Sequence, residues 1–352
     1  MTSIAKPPIR HPGLARNELG LSVRDYEGAM STLCAGCGHD SVTAALVLAA
    51  WELALPPHRA AKMSGIGCSS KTTAYFMKQS HGFNSVHGRM PSVTTGAAMA
   101  NRDLVYIGVS GDGDTASIGL GQFCHAVRRK LNMTYIVMNN GCYGLTKGQF
   151  SATNDKSSPS KKGEANPFEA IDLCQLAIQL GAGFVARSFS GDKKQLIPLI
   201  KAAIIYKGFA FLDVISPCVT FNNHPTSTKS FDYVRAHNMA SENKLDYVEP
   251  KDEITTDYAE GTSAAVTLHD GSRLLLHKLD SGHDPRDADA ALMAIRKSAK
   301  VGEIATGLLY IDKAEEDLHD VLATDNRPLN VLPMSELCPG SKALEAVNAR
   351  MR

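Results

Sequence analysis

The chain has 352 residues, 43% of them hydrophobic, enough to bury a sizeable core as one large domain or two smaller ones. Lys and Arg number 37 against 36 Asp and Glu, a net charge of +1 that argues against a polyanion-binding surface and predicts no nucleic-acid partner. The longest apolar run, SVTAALVLAAWELAL, is too short and too interrupted to span a bilayer, so no membrane association is expected.

The N-terminal stretch MTSIAKPPIRHPG lacks the apolar core of a signal peptide and reads as the start of a Pro-rich arm over residues 1–30. The expected location is the cytoplasm, where the chain's eight cysteines are metal ligands or buried thiols rather than disulfides. The arm leads into STLCAGCGHD, in which Cys34 and Cys37 stand two residues apart beside glycines. Such a pair can be a redox dithiol, half of a zinc site or half of an iron–sulfur site, and half a site needs further ligands from elsewhere.

From there to Cys218 the pattern alternates. GHDSVTAALVLAAWELA has the apolar spacing of a buried helix. LVYIGVSGDGD and MTYIVMNNG are short apolar runs that end in glycine and acidic or amide residues, as parallel strands do at their carboxyl ends, and TASIGLGQFCHAVRRKLN between them fits a crossover helix. FEAIDLCQLAIQLG, GFVARSFS, KQLIPLIKAAIIYKG and FAFLDVISPC repeat the alternation. The expected fold is therefore α/β, a doubly wound parallel sheet with right-handed crossovers and a ligand at the strand ends, over residues 31–240. The polar stretch SATNDKSSPSKKGEANP reads as a mobile, solvated loop beside those ends. Residues 241–352 turn to charged, weakly periodic sequence with two helix-like pieces, read as a C-terminal extension that contacts a partner.

The most specific segment is GDGDTASIGLGQFCHAVRRKLNMTYIVMNNGCYGLTKGQ. Gly111 and Gly113 flank Asp112 at a strand end, where the backbone can approach a diphosphate closely. Asp112 and Asn140 lie 28 residues apart, each after an apolar strand, and adjacent strands would bring them together. One acidic and one amide oxygen suit Mg²⁺, which takes few protein ligands beside phosphate oxygens.

GDG followed by NN is similar to the thiamine diphosphate signature. Together with CAGCGH, GIGCSSK, HGR and YGLTKGQ it resembles the β subunit of the 2-oxoacid:ferredoxin oxidoreductases, over roughly residues 30–225. The resemblance implies a sheet of the thiamine-diphosphate-binding type and one [4Fe–4S] cluster held by Cys34, Cys37, Cys68 and Cys218. Four cysteines alone would also suit zinc. Cys124, Cys142, Cys174 and Cys338 match no ligand position. The resemblance further gives Mg²⁺ to Asp112, Asn140 and the main-chain oxygen of Cys142, and gives the cofactor to Gly67, Ser69, Gly111 and Gly113, with Asp114 supporting the magnesium or its waters. His87 of HGR would face the thiamine, with Arg89 towards cofactor or substrate.

Lys71, three residues past Cys68, matches a lysine associated with the substrate carboxylate. Lys147 in YGLTKGQ suggests a second carboxylate, as in 2-oxoglutarate. The implied activity is oxidative decarboxylation of a 2-oxoacid to an acyl-CoA, with electrons passing through the cluster to ferredoxin. An α subunit would supply the acid that activates the cofactor and most of the coenzyme A site, so this chain alone is expected to be inactive. A pyruvate or indolepyruvate version of the enzyme, and a zinc-stabilised non-catalytic scaffold, are the alternatives. The GDG-to-NN spacing speaks against the scaffold, which has no need of a magnesium–diphosphate site. No run of closely spaced cysteines provides for further clusters, so electrons must leave this one directly.

Overall fold

The computed structural model describes residues 13–146, 148–158, 165–220, 252–268, 273–313, 316–338 and 340–351. Among them the strands are β1 (Ala60–Ser64), β2 (His81–Asn84), β3 (Val105–Gly111), β4 (Met133–Asn139), β5 (Cys142–Tyr143), β6 (Gln149–Phe150), β7 (Phe184–Phe189), β8 (Phe209–Ile215), β9 (Ser263–Thr267), β10 (Arg273–Lys278) and β11 (Ile304–Ile311). Helices α1 (Gly38–Glu52), α2 (Cys68–Lys71), α3 (Met90–Ala100), α4 (Leu120–Arg128), α5 (Leu173–Gln179), α6 (Lys193–Ile205) and α7 (Ala288–Lys300) run between them. Three further helices, α8 (Leu318–Val321), α9 (Met334–Leu337) and α10 (Gly340–Arg350), follow the last strand.

Nine strands form one sheet in the order β2-β1-β3-β4-β8-β7-β11-β10-β9. The first six are mutually parallel, and β3, β4, β8 and β7 among them are apolar runs covered on both faces, while β2 at the edge is exposed. Helices α3, α4, α5 and α7 pack one apolar layer, and α1 and α6 pack the other. Helix α1 buries ten of its fifteen residues, so its small, apolar composition reflects contact on nearly every side. Phe123 of α4 fixes the crossover, with its ring centroid 5.5 Å from Tyr135 on β4 and 5.1 Å from Phe211 on β8. Lys62 on β1 is buried and donates to the carbonyls of Phe76 and Met77, which holds the loop after α2 against the sheet. Burial lowers its pKa to about 8.

The C-terminal part holds strands as well as helices. Strand β11 pairs antiparallel with β7, β10 runs parallel to β11, and β9 closes the edge antiparallel, so this part extends the sheet. No described helix is long and apolar enough to cross a membrane.

Candidate active site at the carboxyl ends of the strands

Strands β1, β3, β4 and β8 end side by side, and the loops after β1, β3 and β4 line a cavity at the crevice where such sheets bind ligands. Gly67, Cys68 and Ser69 line it from the β1 side, Gly111, Asp112, Gly113 and Asp114 from β3, and Asn140 and Cys142 from β4. His87 lines it as well. The chain leaves β3 through a π-helical turn, Gly113–Ile118, which separates Asp112 and Asp114 from the regular α4 that follows.

Gly67 has φ +130°, where L side chains are strained, and a Cβ there would find only Ser69 Oγ, at 3.9 Å. The turn therefore offers bare backbone to the cavity. Gly65 has a different reason. A Cβ on it would lie 1.8 Å from Asp114 Oδ2, so glycine is what admits that carboxylate.

Asp112 is 1% exposed. Its Oδ1 accepts from the Asn140 amide at 3.2 Å, and its Oδ2 accepts from the hydroxyls of Ser151 and of Thr153, the latter at 2.8 Å. These partners are neutral donors. A buried carboxylate with no cation paired to it among the described residues, beside an asparagine whose Oδ1 is turned by the Cys142 amide at 3.1 Å, is a donor set that fits a small hard cation. Asp114 plays another part. Its Oδ1 accepts from His87 Nδ1 and from the Gly88 amide, both at 2.9 Å, and its Oδ2 from Ser110 Oγ at 3.0 Å. Facing a carboxylate, Nδ1 is the donor, which leaves Nε2 outside that contact.

The four cysteines come from three loops. Cys34 and Cys37 precede α1, Cys68 opens α2, and Cys218 follows β8. Gly38 N donates to Pro217 O at 3.2 Å, and Thr220 Oγ1 to Cys34 Sγ at 3.6 Å, so the first and last loops are joined. A Cβ on Gly144 would sit 3.6 Å from Cys68 Sγ and 3.8 Å from Cys218 Sγ, which puts both sulfurs against one point of the cavity wall. Burial first, and the thiols of Cys218 and Cys68 after it, push Cys37 well above the ordinary thiol range. Burial followed by Cys218 takes Cys68 up to about 11. Among the described residues no three His, Cys, Asp or Glu side chains form a cage for a single ion.

Lys71 and Arg89 do not line the cavity: Lys71 Nζ donates to Thr32 O at 3.3 Å, and Arg89 is exposed at the start of α3. Lys147 lies outside the described residues. Sequence reasoning missed four side chains. His39 lines the cavity at 2% exposure, with Nδ1 2.6 Å from Ser216 Oγ, and Tyr143 donates to Gly113 O at 3.0 Å. Ser151 and Thr153 belong to the stretch read as solvated, yet both are buried on Asp112.

Residues 65–214 match the family model of the thiamine pyrophosphate enzyme C-terminal TPP binding domain. The chain is 41% identical over 191 residues to the 2-oxoacid:ferredoxin oxidoreductase subunit β of a Sulfolobus species, covering 54% of this chain and 63% of that one. It is 38% identical over 229 residues to its counterpart in Saccharolobus solfataricus, covering 64% and 73%. A solved 2-oxoglutarate:ferredoxin oxidoreductase from Magnetococcus marinus, with 2-oxoglutarate, coenzyme A and succinyl-CoA bound, superposes with TM-score 0.69 at 30% identity, over 86% of this chain and 89% of that one. The chain belongs to the family of 2-oxoacid:ferredoxin oxidoreductase β subunits.

Proposed function

We propose that this chain is the cofactor-carrying subunit of an oxidoreductase that decarboxylates a 2-oxoacid to an acyl-CoA and passes the electrons to ferredoxin. One observation carries the reading: Cys68 lines the cavity that holds Asp112 and Asn140, while its sulfur neighbours that of Cys218. A diphosphate–metal cradle and a group of thiols thus share one wall, as electron transfer from a bound cofactor to a cluster requires.

In this reading Asp112, Asn140 and the Cys142 carbonyl hold Mg²⁺, and the backbone at Gly67, Gly111 and Gly113, with Ser69, receives the diphosphate. Cys34, Cys37, Cys68 and Cys218 hold a [4Fe–4S] cluster. Thiamine diphosphate supplies the electron sink for decarboxylation. His87, fixed by Asp114, presents Nε2 to the cofactor. Lys71, Arg89 and Lys147 serve the substrate; the lysine in YGLTKGQ, with the substrate of the Magnetococcus structure, favours 2-oxoglutarate. An α-type partner supplies the activating acid and the coenzyme A site, and the assembly works in the cytoplasm.

The test is anaerobic analysis of iron, sulfide, zinc and thiamine in the full chain purified with whatever partner accompanies it. The expected result is about four irons and one thiamine diphosphate per chain, with absorbance near 400 nm. Zinc without thiamine overturns the reading.

A further inference from the structure

A row of buried polar side chains runs from the cavity across four adjacent strands. It starts at Asp112 Oδ2, to which Thr153 Oγ1 stands at 2.8 Å. The same hydroxyl lies 3.0 Å from Asn139 Oδ1, at the end of β4. Asn139 Nδ2 donates to Asp213 Oδ1 on β8 at 3.1 Å, and Asp213 Oδ2 accepts from Arg187 Nε on β7 at 2.9 Å. Arg187 and Asp213 are register partners, so the sheet itself sets that contact. Arg187 Nη2 then donates to Asp172 Oδ1 at 2.8 Å, the same oxygen that caps α5 through the Gln175 amide at 2.9 Å. Asp112, Thr153, Asn139, Asp213 and Arg187 are all buried.

The row has a direction. Arg187 is a permanent cation, so Asp213 accepts from it and from Asn139, and the Asn139 amide can be oriented only with Oδ1 towards Thr153. That oxygen needs a donor, and Thr153 has one proton for it and for Asp112 Oδ2. Ser151 Oγ donates to Asp112 Oδ2 as well and sits 3.0 Å from Thr153 Oγ1. The two hydroxyls therefore fix the rotation of the Asp112 carboxylate about its stem, and Thr153 refers that rotation to a rigid, ion-paired frame two strands away.

We propose that Thr153 and Ser151 are positioning residues for a metal held by Asp112, and that Thr153 ties the metal affinity of the site to the Asn139–Asp213–Arg187 row. The inference rests on the Mg²⁺–diphosphate reading of Asp112 and Asn140. Residues that orient a metal ligand change affinity by about 10–100-fold when removed.

The experiment is calorimetric titration of thiamine diphosphate into the full chain, with its co-purifying partner, at a series of Mg²⁺ concentrations. Thr153→Val keeps the shape and removes the hydroxyl; Thr153→Ser keeps the hydroxyl. The expected result is an Mg²⁺ half-saturation about 10–100-fold higher for Thr153→Val, full thiamine diphosphate occupancy at saturating Mg²⁺, and near-normal Mg²⁺ dependence for Thr153→Ser. A merely structural role would lower the melting temperature without moving the Mg²⁺ midpoint. Wild-type Mg²⁺ dependence in Thr153→Val overturns the inference when Asp112→Ala has lost Mg²⁺-dependent binding. If Asp112→Ala keeps it, the metal assignment itself fails. Should Thr153→Val show no cooperative melt, Ser151→Ala takes its place: a raised midpoint supports the inference, and an unchanged one overturns it.

Discussion

His39 shows how one residue can be set by burial alone. It stands in the first turn of α1, two residues past Cys37, and its ring has been taken almost wholly out of water. Burial lowers its pKa from 6.5 to about 4, so at neutral pH it is an uncharged ring held by Ser216. The unfolded chain binds a proton at His39 near pH 6.5, and the folded chain only near pH 4. The stability that depends on the neutral ring is thus complete above the first value and lost as pH falls towards the second. Urea unfolding of the metal-free chain at stepped pH should show the wild type losing ~3 kcal/mol more than His39→Gln across that window. Parallel pH profiles for the two proteins would remove the claim.

The legibility of the site divides at the same scale. Asp112 and Asn140 could be read from sequence because glycine-flanked polar residues at strand ends carry a recognisable spacing, and the structure brings them within one hydrogen bond. His39, Ser151 and Thr153 could not, because a lone histidine in CAGCGH or a serine in a polar loop has the composition of a solvated residue. Only the return of the chain after β6 over the end of β3 makes donors of Ser151 and Thr153.

At the scale of elements, the parallel block was legible and the C-terminal strands were not. Strands β3, β4, β7 and β8 are continuous apolar runs because both faces are covered. Strand β9 forms the edge with β10 beside it, and in both exposed positions interrupt the apolar ones. What joins this part to the core includes one buried ion pair. Lys278 Nζ, on β10, lies 2.7 Å from Asp192 Oδ2 and 4.4 Å from the centre of the Tyr258 ring, and the Asp192 side chain is 1% exposed. Asp192 also caps α6, accepting from the Gln195 amide. Replacing Lys278 by Met keeps the apolar stem but leaves a buried carboxylate without its cation, a change that costs about 3–5 kcal/mol. Amide exchange should then speed up in β9–β11 before it does in β3 and β4. Unchanged melting and exchange would mean that Asp192 takes another partner.

At the scale of the molecule, exposed apolar side chains stand on the turns around the cavity, uncovered among the described residues. Val86, next to His87, is 70% exposed, Leu145 is 53% exposed, and Ile118 is 44% exposed. Val86 and Ile118 belong to neighbouring turns: a Cβ on Gly88 would meet Gly119 N at 2.7 Å, so the HGR turn and the end of the π-helical turn touch. Exposed apolar side chains near a site suit a docking surface, and on the proposed reading this is where the α-type partner binds. Two aspartates in that patch, Val86→Asp with Ile118→Asp, would each place an unpaired charge in the interface while leaving the fold's buried core untouched. At about 1–2 kcal/mol each, and so about 2–4 kcal/mol together, the partner's affinity should fall roughly 30–700-fold. Co-purification of tagged chain with partner, alongside the melt of the chain alone, measures both. Loss of the partner with an unchanged melt is the expected result, and a wild-type complex would move the contact surface away from the cavity mouth.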